Sequence, residues 1–258
     1  MNLFYRETGT GPSVVILHGL FGSSDNWQTF ARELAASGFR VLTVDLRNHG
    51  QSPHSPVFDF SSMAADVASC IQTTCKEPVY LIGHSLGGKV TMQLALTQPG
   101  LLRGITVIDI APRYYTPHHQ KIIAGLKAIN LSTLQSRKEA EELLMSHIPE
   151  PGVRQFLLKN LYRKEKDQFE WRFDLNSISA SIENVGAVIH SAHPCLLPAL
   201  FIRGQKSDYI GDNDKKEIEL LFPTSKILTA PGAGHWVHAD NPEWLLQTLL
   251  PEIRKCTS

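Results

Sequence analysis

Val79-Tyr80-Leu81-Ile82-Gly83-His84-Ser85-Leu86-Gly87-Gly88 is the stretch on which the reading of this chain turns. Four apolar residues run straight into Gly-His-Ser-Leu-Gly, and small and apolar residues follow from Lys89 to Leu96. The pattern predicts a buried strand, a sharp turn and a helix. A serine at the apex of such a turn is lifted above the sheet edge. Glycines two residues to either side let strand and helix approach closely around it. Ser85 also opens a helix, where free backbone N–H groups favour developing negative charge. It is the candidate nucleophile.

Working outward, short continuous apolar runs recur with helical patterns between them. Val14-Val15-Ile16-Leu17, Val41-Leu42-Thr43-Val44, Ile105-Thr106-Val107-Ile108, Ala199-Leu200-Phe201-Ile202 and Lys226-Ile227-Leu228-Thr229 all read as strands. Such runs belong to strands covered on both faces. Residues 3–8 alternate weakly, as an edge strand would. Ser24 or Asp25 could cap the helix after the first run, and Ser61 or Ser62 the helix before the elbow. The expected fold class is α/β, a mostly parallel, doubly wound sheet. Alternation stops between residues 115 and 194, which read as helices and loops (137–148 and 153–162 the clearest). We expect residues 1–114 and 195–258 to form one core domain, and 115–194 a helical cap inserted over the carboxyl ends of the strands, where ligands bind in open α/β sheets.

A serine hydroxyl needs a neighbouring base. His235 lies just past the last strand, in the loop Ala230-Pro231-Gly232-Ala233-Gly234-His235-Trp236-Val237-His238. That position suits a base at the same sheet edge as Ser85 and matches the order Ser…Asp…His. His238, His84 and His18 read as structural. The carboxylate that would orient His235 has two candidates: Asp109, ending the strand after the elbow helix, and Asp208, in the loop after the next strand. Asp174 is an outside candidate, and Ser207 is close enough to join the hydrogen-bond network. Asp45 and His49 read as braces for their own loop. His18-Gly19-Leu20-Phe21-Gly22 sits where the second half of an oxyanion hole is expected, so the backbone N–H groups of Leu20 and Leu86, with Phe21 a further candidate, are the expected donors. Phe21, Trp236 and Phe156 suggest an apolar substrate pocket. Chemistry of this type requires no cofactor, and the histidines have no metal-ligand spacing.

The 258 residues carry 25 Lys plus Arg against 25 Asp plus Glu. This balance leaves no basic footprint for nucleic acid or an anionic membrane. No apolar stretch has the length of a membrane span. The N-terminal residues lack the basic-then-apolar pattern of a secretion signal. Four scattered cysteines point to reduced thiols and a cytoplasmic setting.

Six blocks together resemble the YbfF-type esterases and their eukaryotic relatives, mitochondrial hydrolases of the abhydrolase type, over nearly the whole chain. These are His18-Gly19-Leu20-Phe21-Gly22-Ser23, Asp45-Leu46-Arg47-Asn48-His49-Gly50, Gly83 to Lys89, Val107 to Pro112, Trp171-Arg172-Phe173 and Gly232 to Ala239. The resemblance implies an α/β-hydrolase fold and hydrolysis of small-molecule acyl esters, with acyl-CoA thioesters a further option. It also implies a triad acid at Asp109 and a serine near the histidine, matching Ser207. Asp208 is no fixed feature of that family. Aspartate-nucleophile dehalogenases and epoxide hydrolases of the same fold are disfavoured by Ser85. Carbon–carbon bond hydrolases, cofactor-free haloperoxidases and non-catalytic ligand-binding members can keep the same triad and stand as the alternatives.

Overall fold

The computed structural model describes residues 1–165 and 168–257. In chain order the first elements are β1 (Tyr5–Thr8), β2 (Ser13–Leu17), a 3₁₀ turn (Ser24–Trp27), α1 (Gln28–Ala36), β3 (Arg40–Val44), α2 (Phe60–Thr74), β4 (Val79–His84), α3 (Leu86–Thr97) and β5 (Leu102–Ile108). An inserted segment holds α4 (Gln120–Ala128), α5 (Arg137–Met145), α6 (Pro151–Leu158), β6 (Leu161–Glu165), β7 (Gln168–Trp171), α7 (Leu175–Ala180) and α8 (Ile182–Val185). The chain then returns through β8 (Ala199–Gly204), α9 (Lys215–Leu221), β9 (Ser225–Ala230), α10 (Val237–Asp240) and α11 (Pro242–Thr257).

Seven strands form one sheet in the order β1-β3-β2-β4-β5-β8-β9. All neighbours pair in parallel except β1, which runs antiparallel to β3 at the edge. Side-chain alternation splits the core in two. Val15, Leu17 and Leu81 face a cluster that includes Val67 and Ile71 of α2 and Val90 and Leu94 of α3. Val14, Ile16, Tyr80 and Ile82 face Phe30 and Leu34 of α1 and Leu245 and Leu249 of α11. Helices therefore cover both faces, which is why the strands read as unbroken apolar runs.

Two helix starts differ from the sequence expectation. Ser23, not Ser24 or Asp25, caps the first turn, exchanging bonds with Asn26. Asp59, not Ser61 or Ser62, caps α2, its carboxylate accepting from the Ser62 N–H at 2.7 Å. In both cases a residue one or two positions earlier has the extended backbone that a cap needs.

The inserted segment is not wholly helical. The expected helix over residues 153–162 ends at Leu158, and the antiparallel hairpin β6–β7 follows. Its strands are short and mostly polar, and among the described residues Leu161 and Phe169 are the ones buried in the core. Cross-strand pairs hold it: Tyr162 Oη donates to Glu170 at 2.8 Å, Lys164 Nζ pairs with the same carboxylate at 2.8 Å, and Arg163 lies over the Phe169 ring. Such pairs stabilise a strand without an apolar run to announce it.

At the β4–α3 elbow the backbones touch. A Cβ on Gly83 would lie 2.2 Å from the Gly87 carbonyl oxygen, and one on Gly87 would lie 2.6 Å from the carbonyl oxygens of Leu17 and His18. Gly83→Ala is therefore expected to cost about 2–3 kcal/mol through overpacking. Urea denaturation measures this, and an unchanged midpoint would show that the close approach is not required.

Candidate active site

Ser85 sits between β4 and α3 with φ of 52°, the left-handed region that a serine rarely adopts. This turn places its hydroxyl above the carboxyl edge of the sheet. Asp109, one residue past β5, and Phe21, in the loop after β2, also have positive φ, at 54° and 58°. Three strained turns at one sheet edge are the mark of a site whose geometry the rest of the fold holds in place.

His235 Nε2 lies 3.0 Å from Ser85 Oγ, and its Nδ1 donates to Asp109 Oδ2 at 2.7 Å. Because a carboxylate only accepts, Nδ1 carries the proton and Nε2 is free to accept from the serine. The Asp109 carboxylate is fully buried. Besides His235 it accepts from the Gly204 N–H at 2.8 Å and from the Ser207 hydroxyl. The geometry thus brings together Ser85, His235, Asp109 and Ser207.

Asp208 is not part of this group. It is exposed, and its backbone carbonyl accepts from Arg113. The neighbouring strand delivers the partner instead: β5 ends one residue before Asp109, whose carboxylate takes the place beside His235 Nδ1. Asp174 is likewise elsewhere, capping α7 through bonds from the N–H groups of Asn176 and Ser177.

Of the three expected oxyanion donors, Phe21 is excluded. Its N–H donates to His49 Nε2 at 3.1 Å. The N–H groups of Leu20 and Leu86 have no acceptor among the described residues. Both residues line a cavity that meets Ser85. A larger cavity of about 240 Å³ also meets Ser85, walled by Phe21, Phe156, Leu157 and Trp236. The arrangement can deprotonate a serine, hold a developing oxyanion and shelter an apolar group.

Comparison with known proteins shows what the chain is similar to. Residues 12–131 match a family model described as alpha/beta hydrolase fold. The sn-1-specific diacylglycerol lipase of Mus musculus is 40% identical over 241 residues, covering 91% of this chain and 78% of that protein. Esterase YbfF of Escherichia coli (strain K12) is 35% identical over 243 residues, covering 92% and 91%. A solved structure titled marine microorganism esterase superposes with a TM-score of 0.94 at 42% identity, covering 97% and 98%. The chain belongs to the α/β-hydrolase family. It is an enzyme of the serine-hydrolase kind, with an esterase-type activity. Among the described residues no helix is long and apolar enough to cross a membrane.

Around this hydrolase site the structure adds contacts that the sequence did not show. The Tyr209 ring stacks on His235 with centroids 4.0 Å apart and planes inclined by 22°. His84 flanks His235 at 4.8 Å, and its Nε2 donates to the His235 carbonyl at 2.9 Å. His118 and His119 reach the cavity from the start of α4, and His118 Nε2 bonds the Tyr209 hydroxyl at 2.9 Å. No local pattern marks these contacts, since each joins distant parts of the chain.

Buried neutral histidines hold the loops of the site. His18 Nδ1 donates to the Gly19 carbonyl and Nε2 accepts from the Leu46 N–H, at 2.8 and 3.0 Å. His49 Nδ1 donates to the Arg47 carbonyl at 2.9 Å while Nε2 accepts from Phe21. Asp45 braces the same loops, accepting from the N–H groups of Ser24 and Gln51. His238 stacks on Trp27 at 4.2 Å. Burial pushes His18 down to about 4, and His49 and His238 to about 3, from the ordinary 6.5. The unfolded chain therefore binds more protons below about pH 6.5, and stability is lost as pH falls through that point toward the folded values. Each of the two fully buried imidazoles, His18 and His49, contributes about 1.4 kcal/mol per pH unit in this window. The urea midpoint is expected to fall between pH 7 and pH 5. A midpoint constant over that range would mean that the folded protein accommodates the protonated rings.

Proposed function

We propose that the enzyme hydrolyses short- to medium-chain acyl esters of small molecules, acyl-CoA thioesters among them, through an acyl-enzyme on Ser85. The observation that carries this reading is the continuous hydrogen-bond line from Ser85 Oγ through His235 to Asp109 Oδ2, opening onto an apolar cavity. In it, His235 takes the proton from Ser85 as the hydroxyl attacks the ester carbonyl. The carbonyl oxygen becomes an anion held by the N–H groups of Leu20 and Leu86. Asp109 stabilises the imidazolium without taking its proton. His235 then protonates the leaving alcohol, which departs and leaves the acyl group on Ser85. Water, deprotonated by the same imidazole, attacks the acyl-enzyme and releases the acid, restoring the Ser85 hydroxyl. Ser207, bonded to Asp109, orients the carboxylate. Phe21 and Trp236 contact the apolar part of the substrate. Free Cys70, Cys75, Cys195 and Cys256 support a reducing, cytoplasmic setting.

The test is hydrolysis of p-nitrophenyl esters from acetate to decanoate, with covalent labelling of Ser85 by a fluorophosphonate. Ser85→Ala is expected to lower kcat by about 10⁴–10⁶ and Asp109→Asn by about 10⁴. Asp208→Asn is expected to stay within about twofold of the parent enzyme, as surface substitutions away from a site do. A large loss in Asp208→Asn with little in Asp109→Asn would move the acid. Ligand retention with no turnover would replace the esterase reading by a binding function.

A further inference from the structure

In the Ser85 mechanism proposed above, His235 becomes a cation twice, once on the way into the acyl-enzyme and once on the way out. Both ring nitrogens are occupied: Nδ1 donates to Asp109 Oδ2 at 2.7 Å, and Nε2 lies 3.0 Å from Ser85 Oγ. The ring face has a partner of its own. Tyr209 stacks on it with centroids 4.0 Å apart and planes inclined by 22°. The His235 side chain is 23% exposed, so a charge on it is largely shielded from water and depends on what the protein sets against it.

The face of an aromatic ring carries partial negative charge. It attracts a cation within about 6 Å of its centroid, and more strongly where water is excluded. The Tyr209 contact therefore gains strength when His235 is protonated. Three further imidazoles stand near His235: His84 of β4, His119 before α4 and His238 of α10. Burial holds His84 well below the ordinary 6.5, His119 at about 4 and His238 at about 3, so none opposes the cation with a charge of its own. The Asp109 carboxylate and the Tyr209 ring are left as the groups that favour it.

The Tyr209 ring is fixed at both ends. Its carbonyl accepts from the Tyr115 hydroxyl, which itself accepts from the Ala111 N–H at 2.8 Å. Its N–H donates to Ser207 Oγ at 3.3 Å, the same oxygen whose proton goes to Asp109. Its hydroxyl shares a hydrogen bond with His118 Nε2 at 2.9 Å. Burial, with the Asp109 charge adding to it, pushes that hydroxyl up to about 12, so the ring stays a neutral phenol. The loop that brings Ser207 to the carboxylate thus brings Tyr209 to the imidazole.

We infer that Tyr209 is a positioning residue of the reaction, whose ring face aligns His235 and stabilises its imidazolium form. The charge is present in the transition state and absent from the resting base, so the contact acts on the chemical step.

Turnover of p-nitrophenyl butyrate across pH tests this, with Tyr209→Phe, Tyr209→Leu and trifluorophenylalanine placed at position 209. Tyr209→Phe keeps the ring face, and its kcat is expected to stay within about threefold of the parent. Tyr209→Leu is expected to lower kcat by about fivefold to thirtyfold. It should also move the acid limb of kcat/KM about one pH unit lower, because an imidazole without the ring holds its proton less tightly. Trifluorophenylalanine has nearly the shape of phenylalanine but a face stripped of electron density. Its kcat is expected to fall between those of Tyr209→Phe and Tyr209→Leu, and this pair decides the matter if Tyr209→Leu does not fold. Equal kcat for phenylalanine and trifluorophenylalanine, or an acid limb that stays in place or rises in Tyr209→Leu, would overturn the inference and leave the esterase reading intact. A change in KM with kcat unaltered would overturn it too, marking Tyr209 as a wall of the cavity. A parent enzyme that neither takes a fluorophosphonate on Ser85 nor turns over the ester would remove the esterase reading itself, and this inference with it.

Discussion

The carboxylate of Asp109 is buried without access to water, and a buried charge is tolerated only when donors surround it. Three come to it from three places: the Gly204 N–H at the end of β8, the Ser207 hydroxyl in the loop beyond, and His235 Nδ1 in the loop after β9. Losing any of them would leave part of the charge uncompensated. The loops following three adjacent strands are thereby drawn to one point, and His235 is fixed in the tautomer that leaves Nε2 facing Ser85. The parallel sheet makes this convergence possible, because β5, β8 and β9 are neighbours with all their carboxyl ends on one edge.

On the opposite side of Ser85 a second polar network does the corresponding work with neutral groups. His18 and His49 each bond backbone atoms through both ring nitrogens, and each ring lies 5.0 Å from the other. The effect is to hold Leu20 and Phe21 in a loop that would otherwise be free to move. The Phe21 N–H is consumed in this network, whereas the Leu20 N–H has no acceptor among the described residues. Burial keeps both imidazoles uncharged at neutral pH, so the network acts by geometry rather than charge.

The inserted segment is tied to both networks. Asn160 Nδ2 donates to the Phe21 carbonyl at 2.8 Å, and the Asp174 N–H donates to the Asn48 carbonyl at 2.9 Å. Lys89 reaches from the elbow helix to the base of the insertion. Phe156 meets Trp236 with ring centroids 5.8 Å apart, closing the apolar cavity over the histidine loop. Val153, Phe156 and Leu157 of the insertion thereby line the cavity that meets Ser85.

The order of strands and helices in the core was legible because buried parallel strands leave continuous apolar runs and the elbow needs its glycines. The same local constraints marked Ser85, and chain order marked His235. The choice between Asp109 and Asp208 was not legible from the residues alone, since both end loops at the correct edge. Tertiary structure places one of them against His235 Nδ1 and the other in solvent. Nor could the chain show the β6–β7 hairpin, held by polar pairs across strands, or the rings of Tyr209 and His84 on either side of His235. Local sequence determines which segments must be buried and where the backbone must turn sharply. Which side chains meet across 100 or more residues, and how much room they leave beside the serine, is decided only when the sheet brings its edges together, because those contacts depend on packing and not on any periodicity along the chain.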